Sequence, residues 1–214
     1  MHTIYSSDSV IDFESLVDGC LAKGIDAVAV MDHDVFQGAL EFRRLAAERR
    51  NEGRWAPRVL PGEEVRTTGG EICGLFLEKR VPDHLPPVET MRLIKDQGGL
   101  VYIPHPFDIL KLKRLKASEL NELSDLIDVM EVFNGKPRFP WANLLAERFM
   151  WDHPFPQAAG SDAHEPTHIG AAYVEMPDFQ GPGELLEALA EGTVTGKRYN
   201  PFASAYIRFR IRRR

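Results

Sequence analysis

Two short stretches of the sequence end in side chains of the kind that bind divalent metal ions. Residues 31–34 read MDHD and residues 160–164 read GSDAH, and each follows a run of small or apolar residues. Such a run predicts a buried parallel strand, whose carboxyl end lies at the rim of a sheet or barrel. Aspartate and histidine at that rim are typical of an active site.

Other histidines and carboxylates follow further predicted strands in the same way. Loops at the carboxyl ends of parallel strands converge, so residues far apart in the sequence can share one site. Imidazole and carboxylate are ligands that zinc, manganese and iron accept, and a shared carboxylate can bridge two ions about 3.5 to 4 Å apart. We therefore expect a multinuclear hydrolytic site, built from His2, Asp8, Asp32, His33, Asp34, Glu64, His105, Glu131, Asn134, Asp162 and His164.

Each of these residues also has a structural explanation. A lone histidine after a strand is often a hydrogen-bonded structural residue, and an aspartate there can cap the next helix. The recurrence of the pattern after several strands favours metal binding. Glu63 and Glu64 are adjacent, so they cannot both point inward from a strand. The loop residues His84 and His153 are interpreted as structural, and so is His168, with substrate contact as its alternative.

The elements that must position these residues alternate between helix and strand. Helical spacing of apolar residues predicts a first helix with Ser9 as its N-cap and Gly24 as its C-terminal stop. A strand over 27–31 and a helix over 38–50 follow, and residues 58–77 predict a hairpin through a Thr-Thr-Gly-Gly turn. Repeated βα units of about 25 to 35 residues predict a parallel α/β architecture. Without a linker rich in Gly, Ser or Pro, residues 1–214 are predicted to form one domain.

Composition excludes several classes of protein. The chain has 214 residues, 43% of them hydrophobic, and a net charge of −6, which disfavours a general nucleic-acid coat protein. A basic tail, about 203–214, reverses this sign locally; it is interpreted as a solvated or partner-bound terminus, with phosphate or nucleic-acid contact as the alternative. Cys20 and Cys73 are too few for a disulfide scaffold, and neither a signal peptide nor a membrane-spanning run is seen. These features predict a cytoplasmic protein.

Recognition of a phosphate group would require cations near the same rim. Arg66 follows Glu64 by two residues and shares its face of the strand, while Lys136 and Arg138 follow the strand that carries Asn134. Each could clamp a phosphate oxygen. The alternative is that each is an ordinary solvated surface charge.

Six motifs together resemble the polymerase-and-histidinol-phosphatase (PHP) family of metal-dependent phosphoesterases. They are His2-Thr3 with SSDS, VMDHDVFQG, GEEVRTTGGEICGLFL, YIPHPFD, MEVFNG and GSDAHEPTHIG, and they cover residues 2 to 176 or so. Their order and spacing make the resemblance specific. It implies a distorted seven-stranded (β/α) barrel of TIM type, two or three divalent metal ions (manganese, zinc or iron) and hydrolysis of phosphate esters.

The resemblance also implies which residues bind the metal ions. It assigns Glu64 as a carboxylate that bridges the first and second ions. His2 and Asp162 would complete the first centre, His105 the second, and Asp8, His33 and His164 would form the third. Asn134 and Arg138 resemble positions that other members use for substrate.

The sequence departs from the family pattern at two places. The first histidine of the opening motif and the strand that carries it would precede Met1, so we expect a barrel that lacks part of its first strand; a start codon chosen too late would explain this. Cys73 stands where several members have histidine. It is interpreted as a core residue on a buried strand, with metal ligation by its thiolate as the alternative.

The expected activity is hydrolysis of a phosphomonoester or short nucleotide by a metal-activated water, with a small phosphorylated molecule as the partner. Asp34 is a candidate proton donor to the leaving group; its alternative is a turn residue that caps the next helix. Two other functions remain open. A nuclease of the same fold would act on oligonucleotides, and a non-catalytic metal-binding module would hold ions without turnover. The sequence predicts neither the metal nor the oligomeric state.

Overall fold

A curled six-stranded mixed sheet organises the computed structural model, which describes residues 1–108, 114–136 and 141–198. Neighbouring strands follow one another in chain order, parallel except where β3 pairs with β2 and β4. The strands are β1 (Ala27–His33), β2 (Arg58–Arg66), β3 (Glu71–Leu75), β4 (Leu100–Ile103), β5 (Val129–Asn134) and β6 (Gln157–Gly160). A separate antiparallel pair follows, β7 (Ala172–Glu175) and β8 (Thr193–Gly196). The mixed α/β class is as predicted, but the described residues form a half-barrel rather than a closed barrel of seven βα units.

Among the described residues six α-helices accompany the strands, and apolar side chains pack on both faces of the sheet. They are α1 (Phe13–Lys23), α2 (Gln37–Asn51), α3 (Pro87–Lys95), α4 (Ala117–Glu122), α5 (Trp141–Phe149) and α6 (Pro182–Ala190). Along β4, Val101 and Ile103 pack with the cluster that contains Phe42, whereas Tyr102 packs in a second cluster on the opposite face. No helix among the described residues is long and apolar enough to cross a membrane.

The first helix begins later than the sequence suggested. Its N-cap is Asp12, whose carboxylate accepts a hydrogen bond from Ser15 N at 2.8 Å. Ser9 was therefore wrong as the cap; its hydroxyl donates instead to His2 O at 2.9 Å and His164 O at 3.2 Å. This contact ties the amino-terminal segment to the GSDAH loop. The predicted stop is confirmed, since Gly24 has the left-handed φ of 65°.

Residues 1–3 lie beside β1 like a short strand. The α-ammonium of Met1 donates to Ala29 O at 3.1 Å, and Met31 N donates to Met1 O at 2.9 Å. On the other side, His2 N donates to Ala163 O at 3.0 Å. The segment therefore joins β1 to the loop after β6 at one end of the sheet. Towards the other end of the sheet, the space beside β1 is a cavity of about 740 Å³, lined in part by Met1, Leu60, Tyr102, Val129 and Ala172.

Candidate metal centre

Asp32 anchors the loop that carries His2. Its side chain is fully buried and accepts from Thr3 N at 2.6 Å, Thr3 Oγ1 at 2.7 Å and Ser6 Oγ at 2.8 Å. A Cβ atom at residue 38 would lie 2.1 Å from Asp32 Oδ2, so only glycine fits beside this carboxylate. The sequence placed Asp32 at the rim, and the structure uses it to position the amino-terminal segment.

Glu64 lies at the centre of the histidine cluster. Its Oε1 is 3.0 Å from His105 Nε2, while its Oε2 is 3.2 Å from His2 Nε2 and 3.7 Å from His33 Nδ1. One buried carboxylate thus contacts histidines through both of its oxygens, the arrangement of a bridging ligand. Glu63 points to the opposite face, as the alternation of a strand requires, and accepts from Val81 N at 3.0 Å.

His2 and Asp162 lie next to Glu64. His2 Nε2 is 3.2 Å from Asp162 Oδ1 as well as from Glu64 Oε2. Ligands of a tetrahedral ion with bonds of about 2.0 to 2.1 Å are roughly 3.4 Å apart, so these spacings fit a metal centre. Burial lowers the pKa of His2, but hydrogen bonds and charges from both carboxylates outweigh it and raise the pKa overall. The two carboxylates therefore favour a positive charge at this position, which a bound metal ion would supply.

His164 and Asp8 form a second group of donor atoms. His164 Nδ1 is 2.8 Å from Asp162 O, which only accepts, so Nδ1 carries the hydrogen and Nε2 is left as an acceptor. Burial first, then the charges of His2 and Lys136, lowers the pKa of His164 to about 3, which keeps the ring neutral. His164 Nε2 and Asp8 Oδ2 are consequently two acceptors only 3.2 Å apart. A cation between them would remove their repulsion.

Two further observations support cation binding around Asp8. Burial raises the pKa of Asp8, but the contact with His164 and the charges of His33 and His2 outweigh it and hold the pKa below its ordinary value. Asp8 Oδ1 is buried without a hydrogen-bond partner among the described residues. His33 Nε2 is 3.9 Å from Asp8 Oδ2, and its ring stacks on His2 at 4.2 Å.

Glu71 joins the cluster beside His105, and the sequence reasoning missed it. Its Oε2 lies 3.7 Å from His105 Nε2, and donor atoms of Glu71, His33 and Glu64 lie within 4.8 Å of one another, close enough to hold one ion. Glu71 opens an antiparallel strand, whereas the sequence pattern that predicted the other ligands concerns residues after parallel strands. The available signal was its position two residues before Cys73, on the same face of β3.

Cys73 itself packs in an apolar cluster. It is fully buried beside Leu60 and Tyr102, and burial raises its pKa well above the ordinary value, with the charge of Glu64 adding to the effect. A thiol is therefore favoured over a thiolate at this position. The surroundings fit the interpretation as a core residue.

Glu131 and Asn134 hold His105 and the next loop in place. Glu131 accepts from Tyr102 Oη at 2.8 Å, His105 N at 2.5 Å and Asn134 Nδ2 at 2.8 Å. A Cβ atom at residue 160 would lie 1.9 Å from Glu131 Oε1, so Gly160 makes room for this carboxylate. Asn134 Oδ1 in turn accepts from Lys136 N at 2.8 Å. The oxygen and the nitrogen of the Asn134 side-chain amide are thus both engaged in hydrogen bonds within the protein.

The predicted phosphate-binding cations fall in different surroundings. Arg66 N donates to Asp34 Oδ1 at 2.8 Å, and Arg66 Nε bonds to Asp34 Oδ2, so Arg66 engages both oxygens of that carboxylate. Lys136 Nζ lies near Asp162 and His164. His168 is buried on a 3-10 turn, where burial and the charge of Lys136 lower its pKa. Arg138 and the basic tail lie outside the described residues.

Comparison with known proteins identifies the family. Residues 1–141 match the PHP domain and residues 140–194 match the PHP-associated region. The chain is 37% identical over 199 residues to an uncharacterized protein of Methanocaldococcus jannaschii, MJ0417, an alignment that covers 88% of this chain and 76% of that one. The chain belongs to the PHP domain family.

Solved structures show the same fold in proteins of low sequence identity. A two-domain protein from Bacteroides vulgatus that contains a predicted PHP-like metal-dependent phosphoesterase superposes with a TM-score of 0.71 at 20% identity, over 92% of this chain and 63% of that one. The lesion-specific endonuclease PfuEndoQ from Pyrococcus furiosus superposes with a TM-score of 0.62 at 16% identity, over 94% and 58% of the two chains. The chain thus spans less than two thirds of either protein.

Proposed function

We propose that this chain is a metal-dependent phosphoesterase that hydrolyses a phosphomonoester or a short nucleotide, acting as a single domain. The observation that carries the proposal is the position of Glu64, whose two oxygens contact His105 and His2 separately. Two or three manganese, zinc or iron ions would fit the surrounding donors. His2 and Asp162 would hold the first ion, His105 and Glu71 the second, and Asp8, His33 and His164 a third, with Glu64 between the first two.

The chain's own residues would bind and orient the substrate. Ions held in these centres would supply the nucleophile by acidifying a water molecule and would neutralise charge on the phosphoryl oxygens. Side-chain exposure indicates the direction of approach, because His33 is 25% exposed and Asp8 34% exposed while Glu64 is buried. A phosphate group entering there would meet the guanidinium of Arg66, whose orientation Asp34 fixes.

Hydrolysis also requires a proton donor to the leaving group. Asp34 as the donor stays a prediction, and its contacts with Arg66 favour a positioning role for it. No serine or cysteine nucleophile is required. Arg138 also stays a prediction as a phosphate contact, and His168 and Asn134 stay predictions as substrate contacts.

The proposal is tested with a panel of phosphoesters. Metal-free protein is assayed with a phosphomonoester, a phosphodiester and dinucleotides, before and after addition of Mn²⁺, Zn²⁺ or Fe²⁺. We expect turnover of a monoester or dinucleotide that a chelator removes and added metal restores. Metal binding without turnover of any of these esters would instead support the non-catalytic metal-binding module.

A nuclease is the second candidate function, because the fold is shared with an endonuclease. It would act on longer oligonucleotides and would use basic residues to follow the backbone. Binding of a nucleic acid through several phosphates weakens steeply as salt rises. Cleavage of a 20-nucleotide strand with salt-sensitive affinity, and no hydrolysis of small esters, would replace the first proposal with this one.

A further inference from the structure

Lys136 places its ammonium group among the proposed metal ligands. Its Nζ is 3.4 Å from both carboxylate oxygens of Asp162, and it is 3.2 and 3.1 Å from Nδ1 and Nε2 of His164. The nearly equal distances to the two ring nitrogens put the ammonium against the ring rather than on one lone pair. Because the side chain is only 17% exposed, its charge is largely enclosed with these ligands.

The backbone of Lys136 is fixed, whereas its side chain can turn. Lys136 N donates to Asn134 Oδ1 at 2.8 Å, and Asn134 N donates to Asn143 Oδ1 at 3.1 Å. These bonds hold the start of the side chain at the carboxyl end of β5. A lysine carries its charge on a flexible four-carbon stem, so Nζ can leave the cluster without any change in this anchor.

Metal ions and the enclosed ammonium require the same partners. Asp162 belongs to the first proposed centre and His164 to the third, and Lys136 contacts both. Like charges on shared ligands repel strongly where water is largely excluded. A loaded centre is therefore incompatible with the position that Lys136 occupies here.

We propose that Lys136 is a built-in cation that neutralises the metal-free centre and is displaced towards the opening when metal binds. There its ammonium becomes available to a phosphoryl oxygen of the substrate. This second step rests on the proposed function, whereas the displacement does not. Lys136 would thus make the substrate-binding charge available only after the metal is loaded.

Titration of the metal-free protein with Mn²⁺ tests the competition. Removing the charge in Lys136→Met should tighten at least one Mn²⁺ site by about tenfold, because the competing cation is gone. Lys136→Arg keeps the charge and should stay near wild type. If Lys136→Met binds Mn²⁺ with unchanged or weaker affinity, the competition does not exist.

Chemical labelling tests the displacement without any need for turnover. Acetylation of Lys136, mapped by mass spectrometry, should be slow in metal-free protein and several-fold faster with Mn²⁺. Lys95 is the control, since its ammonium pairs with Asp128 at 2.7 Å and should react equally in both states. Equal labelling of Lys136 in both states would overturn the proposal. Displacement without hydrolysis of any ester would refute only the proposed function, and hydrolysis without displacement only this inference.

Discussion

The two ends of the space enclosed by the curled sheet are filled differently. At one end, polar atoms of histidines and carboxylates lie 3.0 to 3.2 Å apart in the pairs His2–Glu64, His105–Glu64 and His164–Asp8. At the other end, apolar side chains including Leu60 and Val129 surround a cavity of about 740 Å³. The polar end is ordered by hydrogen bonds to residues 1–3, while Met1 alone of that segment lines the hollow end.

The two ends therefore contribute differently to metal binding and to the stability of the fold. The proposed ligands depend on the rim of the sheet, where Asp32 holds Thr3 and Ala163 O accepts from His2 N. Filling the interior would add apolar burial, which contributes to stability rather than to metal chemistry. We therefore expect substitutions at the polar end to affect activity, and substitutions at the hollow end to affect mainly the free energy of unfolding.

The largest effect should come from a ligand at the polar end. His164→Ala should lower turnover by more than about 100-fold, since even partners outside the ligand shell cost 10 to 100-fold. The fold should persist, because no large apolar side chain is removed. Steady-state kinetics and a thermal melt measure the two quantities.

His153→Ala is the matched control for this substitution. His153 stacks on Phe149 at 4.2 Å, away from the cluster, so its loss should change the melt but not the turnover. Equal losses of turnover in the two variants would break the distinction between the polar end and the rest of the molecule.

Glu63 is a buried carboxylate that lies outside the histidine cluster around Glu64. Burial raises its pKa to about 7 from an ordinary 4.5, against the Val81 N–H bond and the charge of Arg80. The folded state binds the Glu63 proton more tightly than the unfolded state does. The contribution of this proton to the free energy of unfolding is therefore complete below pH 4.5 and is lost as pH rises through 7. The difference corresponds to about 3 kcal/mol.

Glu63→Gln should remove this pH dependence. Relative to wild type, the variant should gain free energy of unfolding between pH 5 and pH 8, measured by urea denaturation, while its turnover changes little. A stability difference that is the same at both pH values would contradict the buried, protonated state of Glu63.

The same substitution at the two ends should have opposite effects on stability. Ala163 is fully buried beside the ligands, so Ala163→Leu should cost about 1 to 3 kcal/mol through overpacking. Ala158 lines the cavity, so Ala158→Leu should gain about 0.5 to 2 kcal/mol by filling it. Chemical denaturation of both variants measures these changes in the free energy of unfolding. A large loss of stability in Ala158→Leu would mean that the cavity cannot accept a larger side chain.

The sequence predicted the positions of the strands well and their partners less well. Apolar runs that end in Asp or His located β1, β4 and β6, because burial and the loss of it at a strand end are visible along the chain. It could not tell that Asp34 contacts Arg66, because the two residues are 32 positions apart and the backbone of Asp34 is left-handed, with φ 54°.

Strand direction limited the prediction of the site in the same way. Glu71 was missed because its place in the cluster depends on the antiparallel pairing of β3 with β2, in which Glu71 lies opposite Arg66. Asn134 and Glu131 were expected to face the site, but their bonds to His105 and Lys136 are long-range or turn contacts that no periodic pattern records. Periodicity reveals which face a residue takes, and only packing reveals what it meets there.

The most direct test of the bridging role is the number of metal ions bound by wild type and by Glu64→Gln. Calorimetric titration with Mn²⁺, checked by elemental analysis, should give at least two ions per chain for wild type. The variant should lose at least one of them together with turnover, while Glu63→Gln keeps the wild-type number. If wild type binds no more than one ion, or Glu64→Gln binds as many as wild type, Glu64 does not bridge two centres and the account of the site is wrong.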